Sequence, residues 1–177
     1  MKNFYDLFLC SSKELKNVRN LVTAGLLIAI KLILDLFTIQ FTPIMHLSFE
    51  FLASATISML FGPVSAAMCL GLSDIINYII NPQGIFFPGY TIAAMILGII
   101  YGIILYKKKV TIIRCIVAQV AVTIVINLLL YTFFASLLYG KAFIFLISTK
   151  LLKNIIMIPI NGSLMYFILN LVNKVRN

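Results

Sequence analysis

The chain has 177 residues and is 62% hydrophobic, whereas a soluble domain is usually below half apolar, so the lipid bilayer is its natural solvent. The net charge of +9 comes from lysines and arginines gathered near the two ends and at residues 107–114. No basic face alternates with exposed aromatics, which excludes nucleic-acid binding, and three scattered cysteines exclude a disulfide framework or a zinc site.

The apolar runs predict an all-α integral membrane protein with a cytoplasmic or interfacial segment at residues 1–19 and a membrane domain at residues 20–177. The N-terminal segment is too broken by charge to be a signal peptide, and it is expected to be either an interfacial helix or a disordered head. Six transmembrane helices are predicted, at residues 20–39, 48–60, 64–80, 91–106, 114–138 and 143–172.

The first predicted helix carries two pairs of residues with helical spacing. Gly25 and Ala29 lie four residues apart and leave a flat strip where another helix can approach closely. Lys31 and Asp35 have the same spacing. A lone charge at mid-membrane costs about 2.5–3.5 kcal/mol, and an i, i+4 pair reduces that cost. Two readings stay open: the pair satisfies itself near the outer interface, or one member faces a ligand cavity.

The next segments contain a loop, a short run and a buried acid. Residues 40–47, with the only histidine, are predicted to be a loop in which His46 is structural. The run at 48–60 is too short for a perpendicular span, and a tight turn at Gly62 and Pro63 separates it from the third run. Asp74 lies in that third run. Intramembrane acids usually face a cavity or a partner, so we expect Asp74 to face a ligand, with a structural hydrogen bond or ion pair as the alternative.

The loop at residues 81–90 has two prolines and two glycines, so it is not helical. Its aromatic residues either fold as a lid or anchor the loop among lipid headgroups. The fourth predicted helix then carries a stripe of small residues with a spacing of four, which predicts close helix packing. The stripe consists of Ala94, Gly98 and Gly102.

The last two predicted helices carry polar groups inside apolar sequence. Gln119 and Asn127 need partners in lipid, and Asn127 either bridges helices or contacts a ligand beside Tyr131. Lys150 and Lys153 either snorkel to the outer interface or face the ligand.

The distribution of basic residues predicts the orientation of the helices. With six spans, the basic N-terminal segment, the 106–114 loop and the C-terminus share one side, so both termini are expected in the cytoplasm. Asp74, the 81–90 loop, Asn127, Tyr131 and the two lysines are then expected to converge near the outer leaflet.

Several short motifs in a fixed order support a family assignment. They are Leu60-Phe61-Gly62-Pro63, Leu72-Ser73-Asp74, Phe87-Pro88-Gly89-Tyr90-Thr91, Leu137-Leu138-Tyr139-Gly140-Lys141, Leu151-Leu152-Lys153-Asn154 and Met157-Ile158-Pro159-Ile160. With them the chain resembles the substrate-binding S component of energy-coupling factor (ECF) vitamin transporters, most closely the folate-type branch.

This resemblance implies a multi-pass plasma-membrane subunit with an outward-facing vitamin site and no chemistry on its substrate. It also implies two kinds of partner, a membrane scaffold subunit and two ABC-type ATPases, with the S component tipping over in the membrane to present its cargo. No P-loop occurs in the sequence, so ATP hydrolysis is expected in other chains, and no cofactor is expected.

The resemblance also implies roles for residues. Asp74 would accept hydrogen bonds from the amino-pyrimidinone edge of a pterin, aromatic rings would stack on its faces, and a lysine would pair with the glutamate tail. Gly25 and Ala29 would dock the scaffold. The expected substrate-binding residues are Asp74, Phe86, Phe87, Gly89, Tyr90, Asn127, Tyr131, Lys150, Lys153 and Lys31.

The sequence departs from the folate branch at ligand positions. Tyr131-Thr132-Phe133-Phe134 stands where the branch has Asn-Thr-x-Trp, and Lys150 stands where Arg is frequent. The branch also has a basic residue near Asp35, whereas here the basic residue is Lys31, one turn earlier. The alternatives are therefore an S component for pantothenate or a queuosine precursor, an intramembrane enzyme, or an assembly protein without a ligand. An enzyme is not expected, because neither H-E-x-x-H nor G-x-S-x-G occurs.

Overall fold

The computed structural model describes residues 8–12, 14–36, 39–42, 45–47, 49–82, 86–139 and 143–176. Helices dominate these residues, and one π-helical segment continues directly from α4 into α5. The elements are α1 (Val18–Leu36), β1 (Ile39–Thr42), β2 (Met45–Leu47), α2 (Glu50–Ile80), α3 (Pro88–Leu105), α4 (Ile112–Val122), the π segment (Thr123–Leu130), α5 (Tyr131–Tyr139) and α6 (Phe143–Arg176).

The helical membrane architecture predicted from composition is confirmed. Among the described residues, three helical stretches are long and apolar enough to cross a bilayer, and these are Glu50–Ile80, Pro88–Leu105 and Ile112–Phe134. The prediction of a loop at residues 40–47 is wrong, because β1 and β2 pair there as an antiparallel ribbon with Ile39 opposite Leu47. The alternation of apolar and polar residues from Ile39 to Thr42 favours an extended strand, and this signal was missed.

Helix α2 consists of two arms joined at Gly62. Gly62 has φ 79° and ψ −177°, a backbone conformation that interrupts the helix and favours glycine. In a straight helix Glu50 and Asp74 would stand about 36 Å apart, yet both line one small cavity, so the chain reverses at Gly62. The tight turn predicted from the sequence is confirmed, and we call residues 50–61 the first arm and residues 63–80 the second arm.

The small-residue stripe of α3 packs against the turn and the second arm of α2. A Cβ atom added to Gly98 would lie 2.8 Å from the carbonyl carbon of Ala66, and one added to Gly102 would lie 2.5 Å from the Cα atom of Pro63. Only glycine allows such close backbone approach at these two positions. The predicted helix–helix interface is therefore confirmed.

The largest cluster of buried side chains joins α3 and α4 to α6 and the first arm. Its members include Tyr101, Cys115, Met165 and Leu169, all fully buried. The Tyr101 hydroxyl donates a 2.9 Å hydrogen bond to the Oε1 atom of Gln119, which supplies the partner that an amide in lipid requires. Ser11 of the N-terminal segment is fully buried against the turn of α2, where its hydroxyl contacts the Phe61 carbonyl.

Candidate functional site

A polar cavity of about 100 Å³ lies between α1, both arms of α2, α3 and α5. Three carboxylates and one ammonium group line it, which gives a formal charge of −2. The first arm contributes Glu50 and Ser54 and the second arm contributes Asp74 and Asn77, so the splay of the two arms sets the width of the cavity. The other charged and aromatic lining residues are Lys31, Asp35 and Tyr131.

An ion pair crosses the cavity from α1 to the first arm. The Nζ atom of Lys31 donates to the Oε2 atom of Glu50 at 2.9 Å, with 9% of the Lys31 side chain and 37% of the Glu50 side chain exposed. The sequence suggested Asp35 as the partner because of its spacing, but the ion pair in the described structure joins Lys31 to Glu50. Both Lys31 and Asp35 line the cavity.

The other two carboxylates are also held by a neighbouring helix. The Nδ2 atom of Asn77 donates to Asp35 at 2.6 Å, which joins the second arm to α1. The Thr91 hydroxyl donates to the Oδ2 atom of Asp74 at 2.7 Å, which joins α3 to the second arm. Asp74 therefore lines the cavity and also accepts a hydrogen bond from Thr91.

An aromatic cluster of Phe87, Tyr90, Tyr131 and Phe134 stands beside the polar cavity. Its ring centroids lie 5.2 Å apart for Phe87 and Phe134, 5.5 Å for Tyr90 and Tyr131, and 5.7 Å for Tyr90 and Phe134, all edge to face. Such pairs contribute about 0.5–1.5 kcal/mol each beyond area burial. Because Tyr131 also lines the cavity, the polar and aromatic surfaces are continuous.

Gly89 allows the cluster to form. It is buried in the first turn of α3, and a Cβ atom there would clash with the Phe87 ring and come within 3.0 Å of Phe134. Phe86 lies apart from the cluster: it is 42% exposed and packs on Tyr78 with a centroid distance of 5.0 Å.

The structure does not bring every expected residue to the cavity. Asn127 lies in the π segment and does not line the cavity, while its carbonyl accepts a 3.0 Å hydrogen bond from the Thr132 hydroxyl. Lys150 and Lys153 belong to α6, but their side chains lie outside the described part of the chain. Gly25 and Ala29 are exposed on α1, and a Cβ atom at Gly25 would have nothing within 4 Å.

Several residues of the cavity and of the aromatic cluster were not selected from the sequence. Asn77 follows Asp74 by three residues and Phe134 follows Tyr131 by three, so helical spacing was a usable signal for both. Glu50 had no such signal, because its partner Lys31 is nineteen residues away. In the described residues, no group of three His, Cys, Asp or Glu side chains is arranged to hold a metal ion.

Comparison with known proteins identifies a family. A family model described as "ECF transporter, substrate-specific component" matches residues 19–169. A protein of Clostridium novyi (strain NT), named folate transporter FolT, is 32% identical over 162 residues, which cover 92% of this chain and 94% of the relative. A protein of the same name from Leuconostoc mesenteroides subsp. mesenteroides is 32% identical over 160 residues, which cover 87% of this chain and 86% of the relative.

A solved structure agrees with this assignment. The crystal structure of FolT bound with folic acid matches with a TM-score of 0.80 and 31% identity, covering 87% of this chain and 94% of that chain. The chain therefore belongs to the substrate-specific components of ECF transporters, which are multi-pass plasma-membrane proteins and not enzymes.

Proposed function

We propose that the chain captures folate or a reduced folate from outside the cell and delivers it inward as the binding subunit of an ECF importer. The observation that carries the proposal is the acid-lined cavity continuous with the aromatic cluster. A pterin is flat and presents adjacent N–H donors at one edge, so it requires carboxylate acceptors and ring faces at the same place. The relatives named FolT and the structure with folic acid support the same substrate.

The charge of the cavity favours one orientation of the substrate. A formal charge of −2 attracts the donor edge of the pterin and repels the carboxylates of the glutamate tail. The ring therefore enters first, and the tail remains toward the outer face. Lys150 and Lys153 are the proposed partners of the tail carboxylates, on the basis of the family resemblance.

The size of the cavity agrees with partial enclosure of the substrate. About 100 Å³ is well below the roughly 300–1,000 Å³ of pockets that bury a drug-sized molecule. The cavity that the described residues enclose takes only part of the substrate. The remainder must lie along the aromatic cluster, or the helices around the cavity must separate.

The number and orientation of the transmembrane helices and the partner subunits are part of the same proposal. We propose six spans with both termini in the cytoplasm, a cytoplasmic or interfacial segment at residues 1–19 and a membrane domain at residues 20–177. The gathered basic residues support this orientation. We further propose that a membrane scaffold subunit docks on the exposed strip of Gly25 and Ala29, and that two ABC-type ATPases drive transport. The open space above Gly25 supports a docking surface there.

The test is direct identification of the substrate. The chain is purified in detergent, the co-purified small molecules are identified by mass spectrometry, and folate and 5-formyl-tetrahydrofolate are titrated by calorimetry. We expect tight binding of a folate and a loss of affinity in Asp74→Asn. Asn127→Ala is the control, because Asn127 does not line the cavity, and its affinity should match the wild type.

Other outcomes identify the alternatives. Binding of pantothenate or a queuosine precursor, with no binding of any pterin, would keep the family and replace the substrate. A protein that binds none of these ligands and tolerates Asp74→Ala would be an assembly protein instead.

A further inference from the structure

The turn of α2 contains backbone groups that the helix itself leaves without partners. The first arm ends at Phe61, whose carbonyl lies at a helix C-terminus, and the second arm begins with the amides of Val64 and Ser65. Gly62 has no side chain to cap them, and Pro63 has no N–H. Unsatisfied polar groups cost several kcal/mol in a water-free environment, so a partner from elsewhere in the chain is needed.

Ser11 of the N-terminal segment supplies that partner. Its hydroxyl donates to the Phe61 carbonyl at 2.8 Å and accepts from the amides of Val64 at 3.0 Å and Ser65 at 3.1 Å. A serine hydroxyl has one donor and two acceptor positions, so all three are used. The Ser65 hydroxyl donates to the Ser11 carbonyl at 2.5 Å, and Ser11 is fully buried. One side chain thus caps both arms of α2.

A second attachment holds the same segment in place. The Tyr106 hydroxyl donates to the Oε1 atom of Glu14 at 2.7 Å, and Tyr106 is 1% exposed at the end of α3. A Cβ atom on Gly62 would come within 2.9 Å of both Ser11 and Tyr106, so the turn, the N-terminal segment and α3 meet at one point. We call Ser11 and Glu14 with their partners the N-terminal clamp.

The clamp lies at the opposite end of the arms from the cavity. Glu50 and Asp74 are each twelve residues from Gly62, which is about 18 Å along a helix. A change of about 10° in the angle between the arms would therefore move Glu50 relative to Asp74 by about 3 Å, which is the length of a hydrogen bond.

We propose that the N-terminal clamp sets the splay of the two arms, and that Ser11 is a positioning residue for substrate binding through Glu50 and Asp74. The test of this proposal by folate affinity rests on the proposed folate function. Because residues 14–17 lead directly from Glu14 into α1, which carries Lys31 and Asp35, the clamp also holds the start of the third helix that lines the cavity.

The test compares Ser11→Ala with two controls in the full chain. Ser12→Ala is the matched control, since Ser12 is exposed and its hydroxyl donates to the nearby carbonyl of Leu9 at 2.9 Å. Tyr101→Phe is the stability control, because it removes a buried hydrogen bond of a residue that does not line the cavity. We expect Ser11→Ala to weaken folate affinity about tenfold, and both controls to keep the affinity of the wild type.

Tyr106→Phe removes the second attachment and should weaken folate affinity by about threefold. If Ser11→Ala does not accumulate in folded form, the affinity of Tyr106→Phe tests the clamp in its place. If Ser11→Ala lowers only the melting temperature, as Tyr101→Phe does, the clamp has a purely stabilising role and the proposal is overturned.

Hydrogen exchange of the ligand-free protein separates this inference from the proposed function. Ser11→Ala should increase exchange at the cavity ends of the arms, in residues 50–54 and 70–77, more than Tyr101→Phe does. If the wild type binds no pterin, the folate proposal fails, but the exchange comparison still tests the clamp. Equal exchange in the two variants would overturn the clamp and leave the folate proposal standing.

Discussion

The ion pair between Lys31 and Glu50 allows a quantitative prediction. Lys31→Met removes the ammonium group and keeps most of the apolar stem, so it leaves the Glu50 carboxylate without this partner. Breaking a fully buried pair costs about 3–5 kcal/mol, and a surface pair contributes about 0–1 kcal/mol. With 9% of the Lys31 side chain and 37% of the Glu50 side chain exposed, the pair lies between these limits. We expect a loss of about 2 kcal/mol, or about 4–8 °C in melting temperature for a chain of this size.

The assay is a double-mutant cycle on the ligand-free protein in detergent. Thermal unfolding is measured for Lys31→Met, Glu50→Gln and the double variant. Because the double variant removes both charges, it should recover most of the lost stability, with a coupling free energy of about 1–2 kcal/mol.

Additivity of the two single changes to within about 0.5 kcal/mol would refute the reasoning. It would mean that the 2.9 Å contact contributes nothing to holding α1 on the first arm. A double variant less stable than either single variant would mean that the two side chains stabilise the protein through other partners.

Three further predictions concern helix packing, docking and the orientation of the cavity acid. Gly98→Leu should destabilise the protein by about 1–3 kcal/mol, since its Cβ atom would lie 2.8 Å from the backbone of Ala66, and a melting temperature equal to that of the wild type would contradict this. Gly25→Leu is the same change at an open position, and it should keep melting temperature and folate binding but abolish uptake by cells; lost binding would show that the Gly25 face of α1 belongs to the substrate site and not to a docking surface. Thr91→Val removes the 2.7 Å hydrogen bond to Asp74 and should weaken folate affinity about three- to tenfold by calorimetry, whereas unchanged affinity would show that the carboxylate needs no orientation.

The parts of the fold that follow from local spacing could be predicted from the sequence. Gly98 and Gly102 lie on one helix face, and the structure packs that face on α2 as expected. The turn at Gly62 was predictable because glycine and proline interrupt a helix in known ways. Asp74 and Tyr131 were expected to lie close together, because in a six-helix topology every second loop lies on the same side of the membrane. Both residues line the cavity.

The parts that depend on non-local partners could not be predicted. Helical spacing pairs Lys31 with Asp35, but the turn of α2 brings Glu50 to the same place, and only the folded chain reveals that choice. The π segment is a second example. A π-helix joins residues i and i+5 by its backbone hydrogen bonds, so α-helical periodicity does not give the relative directions of Asn127 and Tyr131 in this part of the chain.

The three cavity carboxylates have a common arrangement that bears on release of the substrate. Each one accepts a hydrogen bond from a different element, so the cavity walls are joined by Lys31 with Glu50, Asn77 with Asp35 and Thr91 with Asp74. Helix α1 takes part in the first two of these links and also carries the exposed strip proposed for docking. A partner that shifts α1 would therefore act on both links at once. Because binding couplings are reciprocal, substrate that strengthens the cavity must also change the affinity of the partner for α1.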